Sequence, residues 1–343
     1  MKSLIETTDP NKRAIGIWLL FVAFSVFAMV VVGGATRLTE SGLSMVNWNP
    51  VTGAIPPITQ EEWMEEFNDY RTSPEYKIKN AGMSLEEFKG IFYWEWGHRL
   101  LGRLIGVFFL VPFLYFLWRK KVPEGLTPRL FGLFILGGLQ GGLGWYMVKS
   151  GLVNEPNVSH FRLTAHLSLA LIIFSALLWT ALSLVRESYE TVSDRFRKLT
   201  IFTLFILSLQ IILGGFVAGL KAGYIMNTWP LMEGQFVPDV LFAMDPWWSN
   251  LVSNAVTLQF NHRMGAYLLF VLAGLIWYMA RSESRAVQSA ANMLFAVIIL
   301  QIIIGVIMLL MHIPVSWGTF HQGGGVVVIG ALLNLIHKTR GQG

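Results

Sequence analysis

The sequence contains a long apolar run at Ile91–Trp118, IFYWEWGHRLLGRLIGVFFLVPFLYFLW. Its charged residues, Glu95, Arg99 and Arg103, all lie in the first half of the run, and the second half is uncharged. A helix needs about 20 predominantly apolar residues to cross the hydrocarbon core of a bilayer. The run therefore predicts a membrane-spanning helix.

Further runs of the same kind predict an all-α integral membrane protein with eight transmembrane helices. These runs are Ala14–Gly34, Leu130–Val148, Leu163–Val185, Leu199–Leu220, Ala255–Ala280, Ala290–Met311 and Thr319–Ile336. The composition agrees, because 54% of the 343 residues are hydrophobic and only 14% are charged, against about 25% charged residues in soluble domains. A water-soluble globule and a disordered chain are therefore excluded.

Two features of the composition limit the functions that the protein can have. The chain has no cysteine, which excludes disulfides, iron–sulfur clusters, thiolate nucleophiles and covalent attachment of a c-type haem. The net charge of +5 follows from basic residues that fix membrane topology, so it gives no indication of nucleic-acid binding.

The distribution of basic residues predicts the orientation in the membrane. Most of the 26 Lys and Arg residues lie near the two termini and in the connections after the second, fourth and sixth spans. Basic residues accumulate on the cytoplasmic side, so both termini are expected in the cytoplasm. Glu6 and Asp9 in the short N-terminal segment argue against a transit peptide. We therefore expect a multi-pass protein of a bacterial inner (plasma) membrane.

The first outer loop, about residues 35–90, is long and acidic. Thr59–Glu62 and Ser84–Glu87 each match the capping box that starts a helix. The loop is therefore expected to form short helices. These either lie on the membrane surface or pack on the bundle as an extracytoplasmic lid.

The two halves of the chain resemble each other in the order of their glycine and polar residues. Corresponding pairs are Gly33 and Gly214, Trp48 and Trp229, His98 and His262, and Gln140 and Gln301. With four spans each, both halves run in the same direction, as in repeats related by an axis along the membrane normal. We expect two tandem pseudo-symmetric four-helix bundles, residues 1–190 with the long outer loop and residues 191–343.

Four of the seven histidines occupy equivalent places in alternate spans. They are His98, His166, His262 and His321, in spans two, four, six and eight. Helical rise places them at a similar depth near the outer face, and ionisable residues inside a span are functional candidates. One facing pair in each half is the arrangement of two imidazoles on either side of a haem. Zinc fits less well, because it usually takes further ligands.

An acidic residue distinguishes the two histidine pairs. Glu95 lies three residues before His98, whereas Gln259 lies three residues before His262. A carboxyl group in a low-dielectric site can exchange protons or bind a polar substrate group. The first pair is therefore expected to belong to a reactive site and the second to an electron-transfer site. The alternative is a structural carboxylate paired with Arg99 or Arg103.

The arginines that directly follow the histidines of spans two and six admit two interpretations. Arg99 and Arg263 could pair with haem propionates through bidentate hydrogen bonds. They could equally extend to the interface as snorkelling cations. The remaining histidines, His160, His312 and His337, are expected at surfaces or interfaces rather than at iron.

Several motifs together resemble the haem A synthase family, in its mitochondrial and alphaproteobacterial branch, over nearly the whole chain. They are TRLTESGLSM (36–45), EWGHR (95–99), RLTAH (162–166), QFNHR (259–263) and His321-Gln322. The resemblance implies an oxidoreductase that converts haem O to haem A. In that reaction the C8 methyl group is oxidised through hydroxylated intermediates to a formyl group.

The resemblance also implies roles for individual residues. His98 and His166 would carry the substrate haem. His262 and His321 would carry a haem B cofactor, and Glu95 would be catalytic. Haem O synthase as the substrate donor, the terminal oxidase assembly machinery and an unidentified electron-transfer protein are the implied partners. Membrane lipid surrounds the spans, and homo-oligomer formation is left open.

Two other functions compete with this one. A non-enzymatic di-haem b-type cytochrome explains the four histidines equally well, but it explains neither Glu95 opposite Gln259 nor the long outer loop. A secondary transporter would account for the duplication, but the spans carry few charges near the midplane. Haem absorbance separates the transporter from both haem proteins, and product analysis separates the enzyme from the cytochrome.

Overall fold

The computed structural model describes residues 5–49, 52–151 and 158–340. Over these ranges the secondary structure is helical, without a β-strand. In chain order the α-helices are α1 (Pro10–Leu38), α2 (Gln60–Thr72), α3 (Pro74–Ile78), α4 (Leu85–Trp118), α5 (Thr127–Gly151), α6 (His160–Val185), α7 (Asp194–Gly219), α8 (Asn250–Ser253), α9 (Ala255–Ala280), α10 (Arg285–Leu310) and α11 (Val315–Lys338).

The prediction of an all-α protein with eight spans is confirmed. In the part of the chain that the structure describes, eight helices are long and apolar enough to cross a membrane: α1, α4, α5, α6, α7, α9, α10 and α11. Several begin earlier than the apolar run, because a polar side chain caps the first turn. Asp9 accepts a hydrogen bond from the backbone N–H of Asn11 at 2.8 Å, and Ser84 forms the predicted capping box with Glu87. Such caps satisfy N–H groups that have no partner within the helix.

The spans differ in how much of their surface is covered. Helices α1, α6 and α11 are the most buried, and α5 is the most exposed. Ile15 and Leu19 of α1, Leu177 of α6 and Leu332 of α11 belong to one continuous apolar core. Apolar side chains of α5 face outward instead, which carries no penalty where lipid replaces water. Helix α5 is therefore a peripheral helix of the first four spans.

The segment between α1 and α4, residues 39–49 and 52–84, forms what we call the lid. Trp63, Phe67 and Tyr70 of α2 pack with Phe88 and Phe92 of α4 in a separate hydrophobic cluster. The rings of Tyr70 and Phe88 are stacked with their centroids 5.0 Å apart. The segment is thus packed on α4, as the second of the two interpretations from sequence proposed.

The segment between α7 and α9, residues 220–254, which we call the second loop, is organised differently. Phe236, Trp247 and Trp248 are exposed, whereas Asn250 and Asn254 are buried. Asn250 donates to the backbone oxygens of residues 244 and 247 at 2.8 and 2.9 Å. Buried amides rather than a hydrophobic cluster therefore order this loop. Its exposed aromatic residues are of the type found at membrane interfaces.

Corresponding residues of the two repeats touch each other on the lid side of the molecule. Arg37 donates to the backbone oxygen of Ala218, which is 181 residues later. Lys221 forms an ion pair with Glu40, again at a separation of 181 residues. Contact between equivalent positions is what a twofold axis produces, and the offset equals the one between Gly33 and Gly214.

Candidate functional site

The four histidines singled out from the sequence form two pairs. His98 of α4 and His166 of α6 are close enough for a charge on one to act on the other. His262 of α9 and His321 of α11 face each other with ring centroids 6.4 Å apart and ring planes at 77°. We call them the first and the second histidine pair.

The geometry of the second pair fits one iron atom between the two rings. Two metal–imidazole bonds of about 2 Å require ring nitrogens about 4 Å apart, which 6.4 Å between centroids allows. The Nδ1 atoms of His166 and His262 are buried and have no hydrogen-bond partner among the described residues, so each can serve as a ligand. Within the described part of the chain, no three His, Asp or Glu side chains converge on one point. The donor set therefore fits bis-histidine haem ligation rather than a zinc site.

Each imidazole lies against a glycine of a neighbouring helix, where a larger residue would displace the ring. A Cβ atom built on the glycine would meet the ring at 2.8–3.1 Å. The pairs are Gly33 and His98 (3.1 Å), Gly144 and His166 (2.9 Å), Gly214 and His262 (3.0 Å), and Gly305 and His321 (2.8 Å). Gly33 and Gly214 were recognisable in the sequence as matching positions of the repeat, but the contact of these glycines with the histidines was not.

Glutamine side chains hold three of the histidines from behind. In each case the amide nitrogen donates to the backbone oxygen of the histidine. The bonds run from Gln140 to His166 (3.1 Å), from Gln210 to His262 (2.8 Å) and from Gln301 to His321 (2.8 Å). Such outer contacts fix the position of a metal-binding residue.

Glu95 is buried on the lid side of the first pair and accepts three hydrogen bonds. Its Oε2 accepts hydrogen bonds from the Ser44 hydroxyl at 2.8 Å and the Met45 backbone N–H at 2.7 Å. Its Oε1 forms an ion pair with Arg99 at 2.5 Å. The pairing with Arg99, which the sequence left open, is therefore present. A carboxylate has about four acceptor sites, so one on Oε1 remains for a further proton or donor.

Gln259 occupies the corresponding place beside the second pair, but its hydrogen bonds have the opposite polarity. Its amide nitrogen donates to the backbone oxygens of Ala222 and Ile225, at 3.1 and 2.8 Å. The second loop thus presents acceptors where the lid presents donors. A carboxylate matches the first environment, and a neutral amide matches the second.

Arg99 and Arg263 anchor the segments that cover the two pairs. Each guanidinium donates to two backbone oxygens at 2.8–3.0 Å. The acceptors are Met45 and Asn47 for Arg99, and Met226 and Thr228 for Arg263. Nε of Arg263 is buried without a partner among the described residues. The propionate contacts expected from sequence stay a prediction, and Arg263 has a donor available for one.

The lid contains a buried acid that the sequence did not indicate. Glu75 of α3 is buried and accepts a hydrogen bond from the Tyr70 hydroxyl at 3.3 Å. Burial raises the pKa of Glu75 to about 7; the charge of Glu95 acts in the same direction, while that of Lys79 opposes it. No sequence pattern distinguishes this residue from the other acids of the loop.

His160 and His337 have structural contacts, and His312 is exposed. Nε2 of His160 lies 2.9 Å from the backbone oxygen of Val252 in the second loop. His337 is completely buried between α6 and α11, where Ser183 and Arg186 contact its two ring nitrogens at 3.1 and 3.0 Å.

The fold and these contacts define a multi-pass membrane protein with two buried imidazole pairs, each beneath a loop on the same side. The chain belongs to the COX15-CtaA family, described as "Cytochrome oxidase assembly protein", whose model matches residues 16–333.

Several bacterial relatives are similar to the chain over nearly its whole length, and all of those named here are called "Heme A synthase". The protein from Parvibaculum lavamentivorans is 51% identical over 97% of this chain and 96% of its own length. The protein from Nitrosospira multiformis is 46% identical, with 99% and 98% covered. That from Rhodopseudomonas palustris strain HaA2 is 47% identical, with 93% and 88% covered. The family resemblance inferred from the motifs is confirmed.

Proposed function

We propose that this protein is a haem A synthase, an oxidoreductase that converts haem O to haem A. The C8 methyl group of haem O is oxidised through hydroxylated intermediates to the formyl group. One observation carries the proposal: two buried imidazole pairs occur in a chain that matches proteins named "Heme A synthase" over nearly its full length. The assembly of cytochrome oxidase, named in the family description, is a process that requires such a product.

The two pairs are proposed to hold different haems. His98 and His166 hold the substrate, and His262 and His321 hold a haem B cofactor. The asymmetry between Glu95 and Gln259 supports this assignment, because a substrate that loses protons needs an ionisable group nearby. A site that only passes electrons is better served by a neutral amide.

In this proposal the protein's own residues hold the two haems and fix their orientation. The histidines would hold the haem iron, and the glycines beside them leave room for the imidazole rings that a larger residue would displace. Haem iron, when bound, supplies the redox chemistry. The exposed position of α5 supports entry of a lipid-soluble substrate sideways from the bilayer, next to the first pair.

Glu95 is proposed to be the catalytic residue of the first site. It keeps one acceptor site on Oε1, and Arg99 balances its charge at 2.5 Å. It can therefore take up a proton from the reacting group, and Arg99, once its ion pair is lost, keeps its hydrogen bonds to the backbone oxygens of Met45 and Asn47. Arg99 and Arg263 are proposed to contact haem propionates in addition to the loops that they anchor.

The remaining assignments also belong to this proposal. The protein lies in a bacterial inner membrane with both termini in the cytoplasm, and consists of the halves 1–190 and 191–343. The contacts between residues 181 positions apart support this division. Haem O synthase delivers the substrate, and a separate protein exchanges electrons with the haem B site.

The competing function is a di-haem b-type cytochrome, and product analysis separates the two. The purified full chain is incubated in lipid nanodiscs with haem O and a reductant under air, and the extracted haems are separated by chromatography. Haem A or a hydroxylated intermediate is expected. If haem O binds but is recovered unchanged under all redox conditions, the protein is a cytochrome.

A further inference from the structure

A cleft of about 210 Å³ lies between the lid and the end of α5. It is lined by Val46, Trp48, Arg99, Trp145, Val148 and Lys149. Lys149 is five residues beyond Gly144, the glycine behind His166, or about 7.5 Å along the helix axis. The cleft therefore lies beside the first histidine pair, towards the lid.

The two cations of this cleft differ in their partners. Arg99 is neutralised by Glu95 at 2.5 Å and donates to lid oxygens. Lys149 has no carboxylate in an ion pair within the described ranges, and its ammonium group lies 5.0 Å from the centre of the Trp145 ring. The cleft thus presents one cation that remains available to an anionic ligand.

The last four spans lack the α5 part of this cleft. In α10, which corresponds to α5, Val306 and Leu310 stand where α5 has Trp145 and Lys149. The correspondence uses the same offset that relates Gln140 of α5 to Gln301 of α10, the glutamines that contact His166 and His321. The lysine and the second indole therefore occur beside the first pair alone. A resident cofactor is bound once, whereas a substrate must be captured from the bilayer in every catalytic cycle.

We propose that this cleft binds a carboxylate of the porphyrin substrate, with Lys149 as its ion-pair partner and Trp48 and Trp145 as apolar walls. The inference rests on the proposed function, since it names how the substrate of that site is recognised. The cleft would bind an anionic oxygen, and both a porphyrin propionate and a lipid phosphate could supply one. Two indoles beside the cation fit the apolar body of a porphyrin better than a hydrated headgroup.

The test compares haem O with its dimethyl ester, which keeps the ring and the tail but has no free carboxylate. Each is titrated into the full chain in phosphatidylcholine nanodiscs, and binding is followed by Soret absorbance and tryptophan quenching. Wild type is expected to bind the free acid about three- to tenfold more tightly than the ester, as for a partly exposed charged contact. Lys149→Leu, which introduces the residue found in α10, should reduce this preference in one binding step to the part that Arg99 supplies. Lys149→Arg should retain it.

Three results would overturn the proposal. Equal weakening of acid and ester by Lys149→Leu would mean that the lysine only supports packing. An unchanged preference would mean that it does not contact the carboxylate. An effect of Lys149→Leu that appears only in nanodiscs with anionic lipid, and equally for acid and ester, would assign the cleft to a lipid phosphate. The titration needs no turnover, so its outcome is separate from whether haem A is formed.

Discussion

Glu95 and Gln259 occupy equivalent positions beside the two histidine pairs but form opposite hydrogen bonds with the loops that cover them. Both side chains are buried, both lie three residues before an iron-binding candidate, and both contact the loop that covers their site. Glu95 accepts from a hydroxyl and an N–H group of the lid, whereas Gln259 donates to two carbonyl groups of the second loop. The duplicated architecture is the same at both places, and the polarity of the hydrogen bonds is reversed.

Under the proposed function, the two halves of the repeat carry out different tasks with the same fold. The histidines, the glycines behind them and the arginine that anchors each loop are common to both sites. The carboxylate, its two donors and the cation of α5 are confined to the first. We therefore expect substitutions at shared features to impair both sites, and substitutions at the distinguishing features to impair only one.

The largest effect is expected when the carboxylate itself is removed. Glu95→Gln should lower the rate of haem A formation about 10²- to 10⁴-fold, the range for loss of a general acid–base group. Both haems should remain bound, because no iron ligand is changed. The rate is measured by chromatography of the products, and the haem content by absorbance.

Ser44→Ala is the matched control for that experiment. It removes one lid donor at 2.8 Å but leaves the carboxylate in place. The variant should keep most of the activity if Glu95 handles protons. An equally large loss in both variants would show that Glu95 serves only to hold the lid.

A smaller effect is expected at the glycines behind the histidines. Gly144→Ala and Gly305→Ala place a Cβ within 2.9 and 2.8 Å of the rings of His166 and His321. Each should weaken haem binding at its own site about 10- to 100-fold, as for other changes that misplace a metal ligand. Titration with haem and redox difference spectra measure the two sites separately.

Gly141→Ala, in the same helix as Gly144, is the control for helix propensity and general packing. No atom lies within 4 Å of a Cβ built at this position. The variant should bind haem like the wild type. If it binds as weakly as Gly144→Ala, contact with the histidine is not the cause.

Replacing the hydrogen-bond donor at the second site by an acceptor should have a moderate effect on the stability of the second loop alone. Gln259→Glu would place a carboxylate against two carbonyl oxygens, so it loses two hydrogen bonds and gains a repulsion. The charge of Arg263, whose guanidinium lies 3.4 Å from Oε1 of Gln259, offsets part of this cost. The expected cost is about 1–3 kcal/mol, confined to the second loop. Hydrogen exchange of residues 222–228 should accelerate while that of the lid stays unchanged. Unaltered exchange in the second loop would contradict the contacts described for Gln259.

The smallest expected effect is a dependence of lid stability on pH. The pKa of Glu75 is about 7 in the folded lid and 4.5 for a free side chain, so the protonated form favours the packed lid. This contribution is fully present below about pH 4.5 and is lost as the pH rises through about 7. Hydrogen exchange in Gln60–Thr72, corrected for the intrinsic rate, should show extra opening near pH 8 relative to pH 5.

Glu75→Gln should remove most of this dependence, because the amide does not ionise. The other ionisable groups that act on Glu75 are Tyr70, Lys79, Glu95 and Glu40, and they are unchanged in the variant. A pH response as large as in the wild type would assign the effect to one of them.

Sequence patterns predicted the spans well, because the hydrophobic thickness of a bilayer dictates their length. Ala255–Ala280 agrees at both ends, whereas the first span begins at Pro10 rather than Ala14 because Asp9 caps it. The histidine pairs also followed from helical rise and from the repeat. These features depend on the regular geometry of helices, which can be calculated from the spacing of residues in the sequence.

Contacts between side chains of different helices and loops could not be predicted from the sequence. The hydrogen bonds of Glu95 with Ser44 and Met45 join residues about 50 positions apart through an irregular loop. The buried amides of the second loop and the raised pKa of Glu75 likewise arise from packing without periodicity. No sequence pattern distinguishes Lys149 from an ordinary lysine at the membrane interface, because its position beside the lid depends on the fold.

The central claim is that the two histidine pairs are unlike sites, one for substrate and one for a resident cofactor. The most direct test is chromatography of the haems extracted from protein made in a host that synthesises haem O. His98→Ala/His166→Ala should retain haem B and lose haem O and its oxidised products. His262→Ala/His321→Ala should lose haem B. If the two variants retain the same mixture of haems, the pairs are equivalent and the account is contradicted.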